Sequence, residues 1–149
     1  MRVNRDDIIE LDDFLPYQLI LLADRVSRRS GAIVKRFRDM NLSQWRVLAA
    51  VAEAEGRTAN EVVAVTPMDK GLVSRAVKSL IERRLIERRA SDSDGRVGHL
   101  HLTRRGARLY REIAHDVRAM ETEMLAALDP ADASSLQASL RELLDTLSD

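Results

Sequence analysis

The chain has 149 residues, 45% hydrophobic and 32% charged, with six Gly, three Pro and no Cys. That length suits one domain, or one compact unit with an added dimerisation element, and the composition is that of a helix-rich soluble protein. The missing thiol excludes disulfides, thiolate metal sites and thiol-based redox sensing. A formal net charge of zero conceals a basic block. Asp69 to Arg111 holds 12 Lys+Arg against 5 Asp+Glu, whereas the residues before it hold 10 against 10 and those after it 2 against 9. Sign asymmetry of this kind points to an electrostatic partner such as nucleic acid.

The opening stretch, MRVNRDDIIELDDF, carries five acidic residues and no long apolar run. We expect no signal peptide there, no membrane span downstream and a cytoplasmic protein. Phe14 to about Met40 reads as one long helix, because Leu15, Leu19, Leu22, Val26, Ile33 and Phe37 share a stripe. Gly31 weakens its middle. A second helix fits Ser43 to Ala54, with Ser43 as N-cap, Trp45, Leu48, Ala49 and Ala52 facing inward, and Gly56 ending it. Thr58-Ala59-Asn60-Glu61 is a capping box that starts a short third helix running to about Val65. Thr66-Pro67-Met68-Asp69 has the same spelling, with Pro67 at the favoured first helical position, and predicts a fourth helix to about Arg84.

Leu85–Ala90 and Val97–Leu102 have strand length and apolar content, and Ser91–Arg96 is turn chemistry. Thr103 then caps a fifth helix ending near Leu128. Asp129-Pro130 starts a sixth, in which Leu136, Leu140, Leu143 and Leu147 make a coiled-coil-like seam. The expected architecture is mainly α with a small β-wing. A winged helix-turn-helix lobe covers 43–103, its wing 85–103, beside a helical dimerisation region formed by 14–40 and 104–149, all in a single domain 1–149. The first-helix stripe and the Leu seam together exceed what a small lobe can cover, which argues for a homodimer.

The fourth helix carries the chemistry. Leu72, Val73, Ala76, Val77, Leu80 and Ile81 make its apolar side. Asp69, Lys70, Gly71, Ser74, Arg75 and Lys78 make the other, clustered in the half that meets base edges when such a helix docks in a major groove. Arg75 suits bidentate bonding to guanine O6 and N7, Ser74 suits a base or a phosphate, and Gly71 lets a backbone approach closely. An ordinary solvated amphipathic helix is the plain alternative. In the following loop, a cation at a hairpin tip such as Arg96 can enter a narrow minor groove. Asp94, two residues earlier, is placed to hold it. The plain alternative here is a simple turn.

Met68-Asp69-Lys70-Gly71-Leu72-Val73-Ser74-Arg75, then Leu85-Ile86-Glu87-Arg88, then Asp94-Gly95-Arg96, then Leu102-Thr103-Arg104-Arg105-Gly106 resemble, in that order, the MarR family of bacterial transcriptional regulators. The likeness runs from about residue 14 to 147. It implies an obligate homodimer whose first, fifth and sixth helices interlock, with two winged lobes on a pseudo-palindromic operator. It also implies Arg96 as the minor-groove residue, Asp94 as its partner and Arg88 as part of the DNA-binding wing. Most such proteins are repressors released by a small aromatic or anionic ligand.

Ligand sites in the family lie where the dimerisation helices meet the winged lobe, which nominates Tyr17, Arg25, Trp45, Arg46 and His115. Each has a plainer role as a core anchor or a solvated charge. His99 and His101 point to one side of a strand, compatible with a metal, a protonation switch or a nearby phosphate. No nucleophile elbow, phosphate-cradling Gly loop or metal-ligand spacing is present, so we expect neither an enzyme nor a cofactor. The alternative function is a winged-helix module that docks an acidic protein partner.

Overall fold

The computed structural model describes residues 3–93 and 95–148. It comprises two compact units, Met1–Tyr110 and Arg111–Asp149. In the first unit, short 3-10 turns at Arg5–Asp7 and Leu11–Asp13 lead into helix α1 (Leu15–Lys35). α1 stops short of the expected Met40. Arg38 and Asp39 both take left-handed backbone angles, φ 56 and 52, and no helix continues through two such residues. Met40 is buried immediately after the turn.

Helix α2 spans Leu42–Glu53, and its N-cap is Asn41 rather than Ser43. The Asn41 Oδ1 accepts the Gln44 amide at 2.8 Å, and Gln44 Oε1 accepts the Asn41 amide at 2.9 Å. This reciprocal pair satisfies two donors at once, which Ser43 in the first turn cannot do. The inward face is also rotated from expectation. Val47, Leu48, Ala50 and Val51 are buried, while Trp45, Ala49 and Ala52 are half-buried.

Helix α3 (Ala59–Val65) starts at the Thr58–Glu61 capping box as its spacing predicts. The second such spelling fails. Thr66 is the C-cap of α3, its hydroxyl donating back to the Val62 carbonyl at 2.7 Å. Helix α4 (Lys70–Glu82) is capped instead by Asp69, which accepts the Leu72 amide at 2.7 Å, so Pro67 lies outside the helix. An Asp at this position is further favoured by the positive end of the helix dipole.

Val62 of α3 and Val73, Ala76, Val77 and Leu80 of α4 meet the buried face of α2 in one core. Each such aliphatic side chain contributes roughly 1.5–3 kcal/mol by leaving water. Leu72, expected inside, is exposed, and Ile81 is half-buried. The buried stripe of α4 is therefore narrower than the apolar pattern implied, and more of its surface faces outward.

Strands β1 (Ile86–Ala90) and β2 (Gly98–Leu102) pair antiparallel from Ile86↔Leu102 to Ala90↔Gly98. The α2–α3 connection joins this ladder. Gly56 donates its amide to Leu100 O and Leu100 donates to Arg57 O, both at 2.9 Å, and Thr58 bridges His99. Helix α5 (Arg104–Leu125) begins in this unit. The Thr103 Oγ1 caps its first turn by accepting the Gly106 amide at 3.0 Å.

The second unit holds the remainder of α5 and helix α6 (Pro130–Thr146). On the α6 seam Leu136 and Leu143 are exposed, Leu140 is half-buried, and Leu147 caps the helix end with most of its surface open. No helix among the described residues is long and apolar enough to cross a membrane.

Candidate nucleic-acid interface

Helix α4 is held at both ends, which sets where its outer face points. At the C-terminal end Gln44 Nε2 donates to Ser79 Oγ at 2.7 Å. Arg83 donates to Gln44 Oε1 at 3.3 Å, to the Met40 sulfur at 3.2 Å and to the Arg38 carbonyl. Gln44 is itself buried, so these bonds satisfy an amide that would otherwise be costly to enclose. Sequence periodicity does not reveal this network, because its members lie on different elements.

With the buried stripe turned to the core, Lys70, Gly71, Ser74, Arg75 and Lys78 are all exposed on one face. A Cβ added to Gly71 would stand 3.3 Å from the Asp69 carboxylate and 3.4 Å from Arg75 Nη1. The guanidinium of Arg75 thus folds back over Gly71 near the cap. Lys78 pairs loosely with Glu82 at 4.0 Å, both well exposed. Such a pair contributes little to stability and leaves the lysine available.

The wing stands beside this face. A cleft of about 310 Å³ is lined by Ser74, Lys78, Ile81 and Glu82 of α4 and by Arg88 of β1. A second, of about 280 Å³, is lined by Arg88, Arg96, Val97 and Gly98 of the wing and by Thr58, Ala59 and Asn60. Arg88 borders both. Arg96 is exposed beyond β1 in the turn, and the turn is closed by the Ser91 amide donating to Val97 O at 3.2 Å. Asp94, expected to hold Arg96, lies outside the described residues. On the opposite wing face Arg89 and Glu87 form an ion pair.

His99 and His101 do share a side of β2, and both meet the α2–α3 connection. His99 Nδ1 lies 2.7 Å from Gly56 O, and His101 Nδ1 lies 3.6 Å from Glu55 Oε1. Among the described residues no group of three or more His, Asp or Glu side chains is arranged to hold a metal ion.

The residues nominated for a ligand are spread out. Trp45 stacks on Tyr110, with centroids 5.5 Å apart and planes at 16°. Arg46 donates to Ser27 Oγ at 3.3 Å. Tyr17 and Arg25 are exposed on α1, and His115 is exposed in the second unit. Among the described residues no hydrogen bond or ring contact joins any two of Tyr17, Arg25, Trp45 and Arg46.

Comparison with known proteins agrees with this geometry. Residues 38–97 match the MarR family. A helix-turn-helix-type transcriptional regulator of Rhodobacter capsulatus, PetP, is 30% identical over 111 residues, which are 74% of this chain and 64% of that protein. The chain thus spans less than two thirds of that relative's length. A MarR/EmrR family transcriptional regulator from Acinetobacter sp. ADP1 superimposes with a TM-score of 0.84 at 24% identity, covering 93% of this chain and 98% of the other. The Staphylococcus aureus MepR–DNA complex gives 0.79 at 18% identity, covering 92% and 99%. With the winged helix-turn-helix lobe and the ordered motifs that run through it, these matches place the chain: it belongs to the MarR family of transcriptional regulators.

Proposed function

We propose that the chain is a sequence-specific DNA-binding transcriptional regulator. It acts in the cytoplasm as a homodimer on a pseudo-palindromic operator, as a repressor released by a small aromatic or anionic ligand. The observation that carries the reading is the exposed face of α4, with Lys70, Gly71, Ser74, Arg75 and Lys78 on one side, flanked by Arg88 and Arg96 of the wing. A helix with short and cationic groups in its first turns fits a major groove, and the adjacent hairpin fits the neighbouring minor groove. The fold similarity to MepR in its complex with DNA supports this arrangement.

Arg75 would read a base edge, while Lys70 and Lys78 would meet phosphates. Arg96 would enter the minor groove with Asp94 as its orienting partner. For the ligand we retain Tyr17, Arg25, Trp45 and Arg46 in the first unit, where the Trp45–Tyr110 stack is the best platform for a planar molecule, and, by itself, His115 in the second.

The test is binding to the intergenic DNA upstream of the gene, titrated against salt and against an unrelated duplex. Selective binding with a steep salt slope is expected, with half-sites about 10 bp apart, centre to centre. Arg75→Ala should relax specificity at one or two base pairs per half-site by about 1–3 kcal/mol. Arg96→Ala should weaken binding chiefly where the minor groove is narrow. Equal, sequence-independent losses for both would overturn the division of roles. If no duplex is preferred in a genome-wide binding profile, a protein-docking role for the basic face replaces the DNA reading.

A further inference from the structure

The cleft between the wing and the start of α3 shares Arg88 with the cleft beside α4 and Arg96 with the wing turn, but its α3 wall, which carries Asn60, belongs to neither. We propose that it is a phosphate-holding notch that clamps one DNA backbone phosphodiester through Arg88 and Asn60, a site resting on the DNA-binding reading above. Four observations support it. The first is its chemistry. Two arginines, Arg88 and Arg96, and the amide of Asn60 line a space of about 280 Å³, and no carboxylate lines it among the described residues. A cleft that small suits a single anionic group and its water better than a drug-sized molecule.

The second is the course of Arg88. A Cβ added to Gly98 would lie 2.4 Å from Arg88 Cδ and 2.6 Å from its Cγ, so the arginine stem rests directly on the Gly98 backbone. Arg88 is opposite Leu100 in the ladder, and its side chain runs diagonally across β2 past Gly98 towards α3. Only a residue without a side chain leaves that path open. The arginine stem is therefore placed by the strand register, and among the described residues no acidic side chain pairs with it.

The third is rigidity. The chain leading into α3 is stitched to β2 by the Gly56–Leu100 and Leu100–Arg57 hydrogen bonds and the Thr58–His99 bridge. Both walls thus belong to one hydrogen-bonded frame, and little ordering is needed on binding.

The fourth concerns Glu61, the acid that follows Asn60 in the chain. Its carboxylate is turned back onto the Thr58 amide at 2.7 Å, which leaves the exposed Asn60 amide as the polar group of α3 that lines the notch. The helix itself, at seven residues, is too short for its dipole to matter here. The attraction comes from the Arg88 guanidinium, whose bidentate geometry matches phosphate oxygens.

The test replaces operator phosphates one at a time by neutral methylphosphonates and measures binding of the full-length protein by fluorescence anisotropy. The wild type should lose about tenfold at one phosphate per half-site, the worth of one charge-assisted hydrogen bond. For Arg88→Ala that loss should shrink to within twofold, because the charge that attracts the phosphate is gone, and for Asn60→Ala it should shrink part of the way. Arg88→Ala should also reduce the salt slope by about 0.9 per notch. Gly98→Ala, with its wing intact by circular dichroism, should mimic Arg88→Ala.

Undiminished methylphosphonate losses in Asn60→Ala and Arg88→Ala, with selective DNA binding retained, would overturn the notch alone. Failure of the wild type to prefer any duplex would overturn the DNA reading and the notch with it. Saturable binding of inorganic phosphate to the DNA-free protein, at constant ionic strength and abolished by Asn60→Ala, would make the occupant a free anion and overturn the phosphodiester assignment.

Discussion

Gly106 sits in the first turn of α5, where a Cβ would lie 1.9 Å from the Leu85 carbonyl oxygen and 2.8 Å from its carbon. That carbonyl already accepts the Thr103 amide at 3.0 Å and the Thr103 hydroxyl at 3.2 Å, so it has no freedom to retreat. Gly106→Ala must therefore separate α5 from the start of β1. We expect a loss at the upper end of the ~1–3 kcal/mol typical of overpacking, or beyond it. Gly31 supplies the control. It lies within α1, its Cβ position meets nothing within 4 Å, and its backbone is helical. Gly31→Ala should stabilise by about 0.4–1 kcal/mol, since alanine loses less conformational freedom on folding. Urea midpoints of the two variants should thus move in opposite directions. A neutral Gly106→Ala would mean that the corner relaxes in a way this packing forbids.

Helix ends decide how the lobe is assembled, and they respond to pH. The Glu61 carboxyl is held below the ordinary glutamate range, chiefly by the Thr58 backbone amide and then by the Thr58 hydroxyl. A depressed folded-state value gives stability that is present above the unfolded pKa and is lost as pH falls through the folded one. Glu61→Gln removes the titration. The stability advantage of the wild type over this variant should therefore shrink between about pH 6 and pH 3, as followed by denaturant unfolding. A constant difference over that window would show that the charge does not matter there. Thr58→Ala should cost about 1 kcal/mol at neutral pH and less once Glu61 is protonated, because the lost hydroxyl is one of the groups that favour its charged form.

Caps were also where sequence and structure parted. The T-x-x-E spelling at Thr58 was legible because both partners are polar, lie outside the core and have no competitor. At Thr66 the same spacing misled: Met68 is buried, and Asp69 is already placed to cap α4, so Thr66 is left to end α3. At the start of α2 two cap-forming residues compete, and Gln44 at the third position decides for Asn41. The exposed polar face of α4 was legible because it follows from helical period alone. The Asn60–Arg88 notch was not, because it depends on strand register and on the path that Gly98 leaves open.

For the whole molecule, the open question is what covers the apolar surface. In the first unit Leu15, Ile20 and Leu22 of α1 are exposed, Ile20 by 67%. In the second unit Leu136, Leu143 and Leu144 of α6 and its C-cap Leu147 are exposed, the last two by 68% and 78%. Stripes of this kind on two helices exceed the isolated surface leucines that a monomer tolerates, and a second copy of the chain is the occupant the proposed function requires. The charge distribution agrees. The basic block lies mostly in the lobe and the acidic one in the C-terminal segment, so on the proposed function association through the latter would leave the positive face free for DNA. Ending the chain before Asp129 should yield a monomer by sedimentation equilibrium and abolish tight operator binding, because on the proposed function each lobe alone would contact one half-site. Leu136→Glu with Leu143→Glu in the full-length chain should do the same while preserving helical content, which separates lost association from lost folding. A variant that stays dimeric would move the interface elsewhere. A true monomer that still binds the whole operator as tightly as the wild type would remove the need for a dimer altogether.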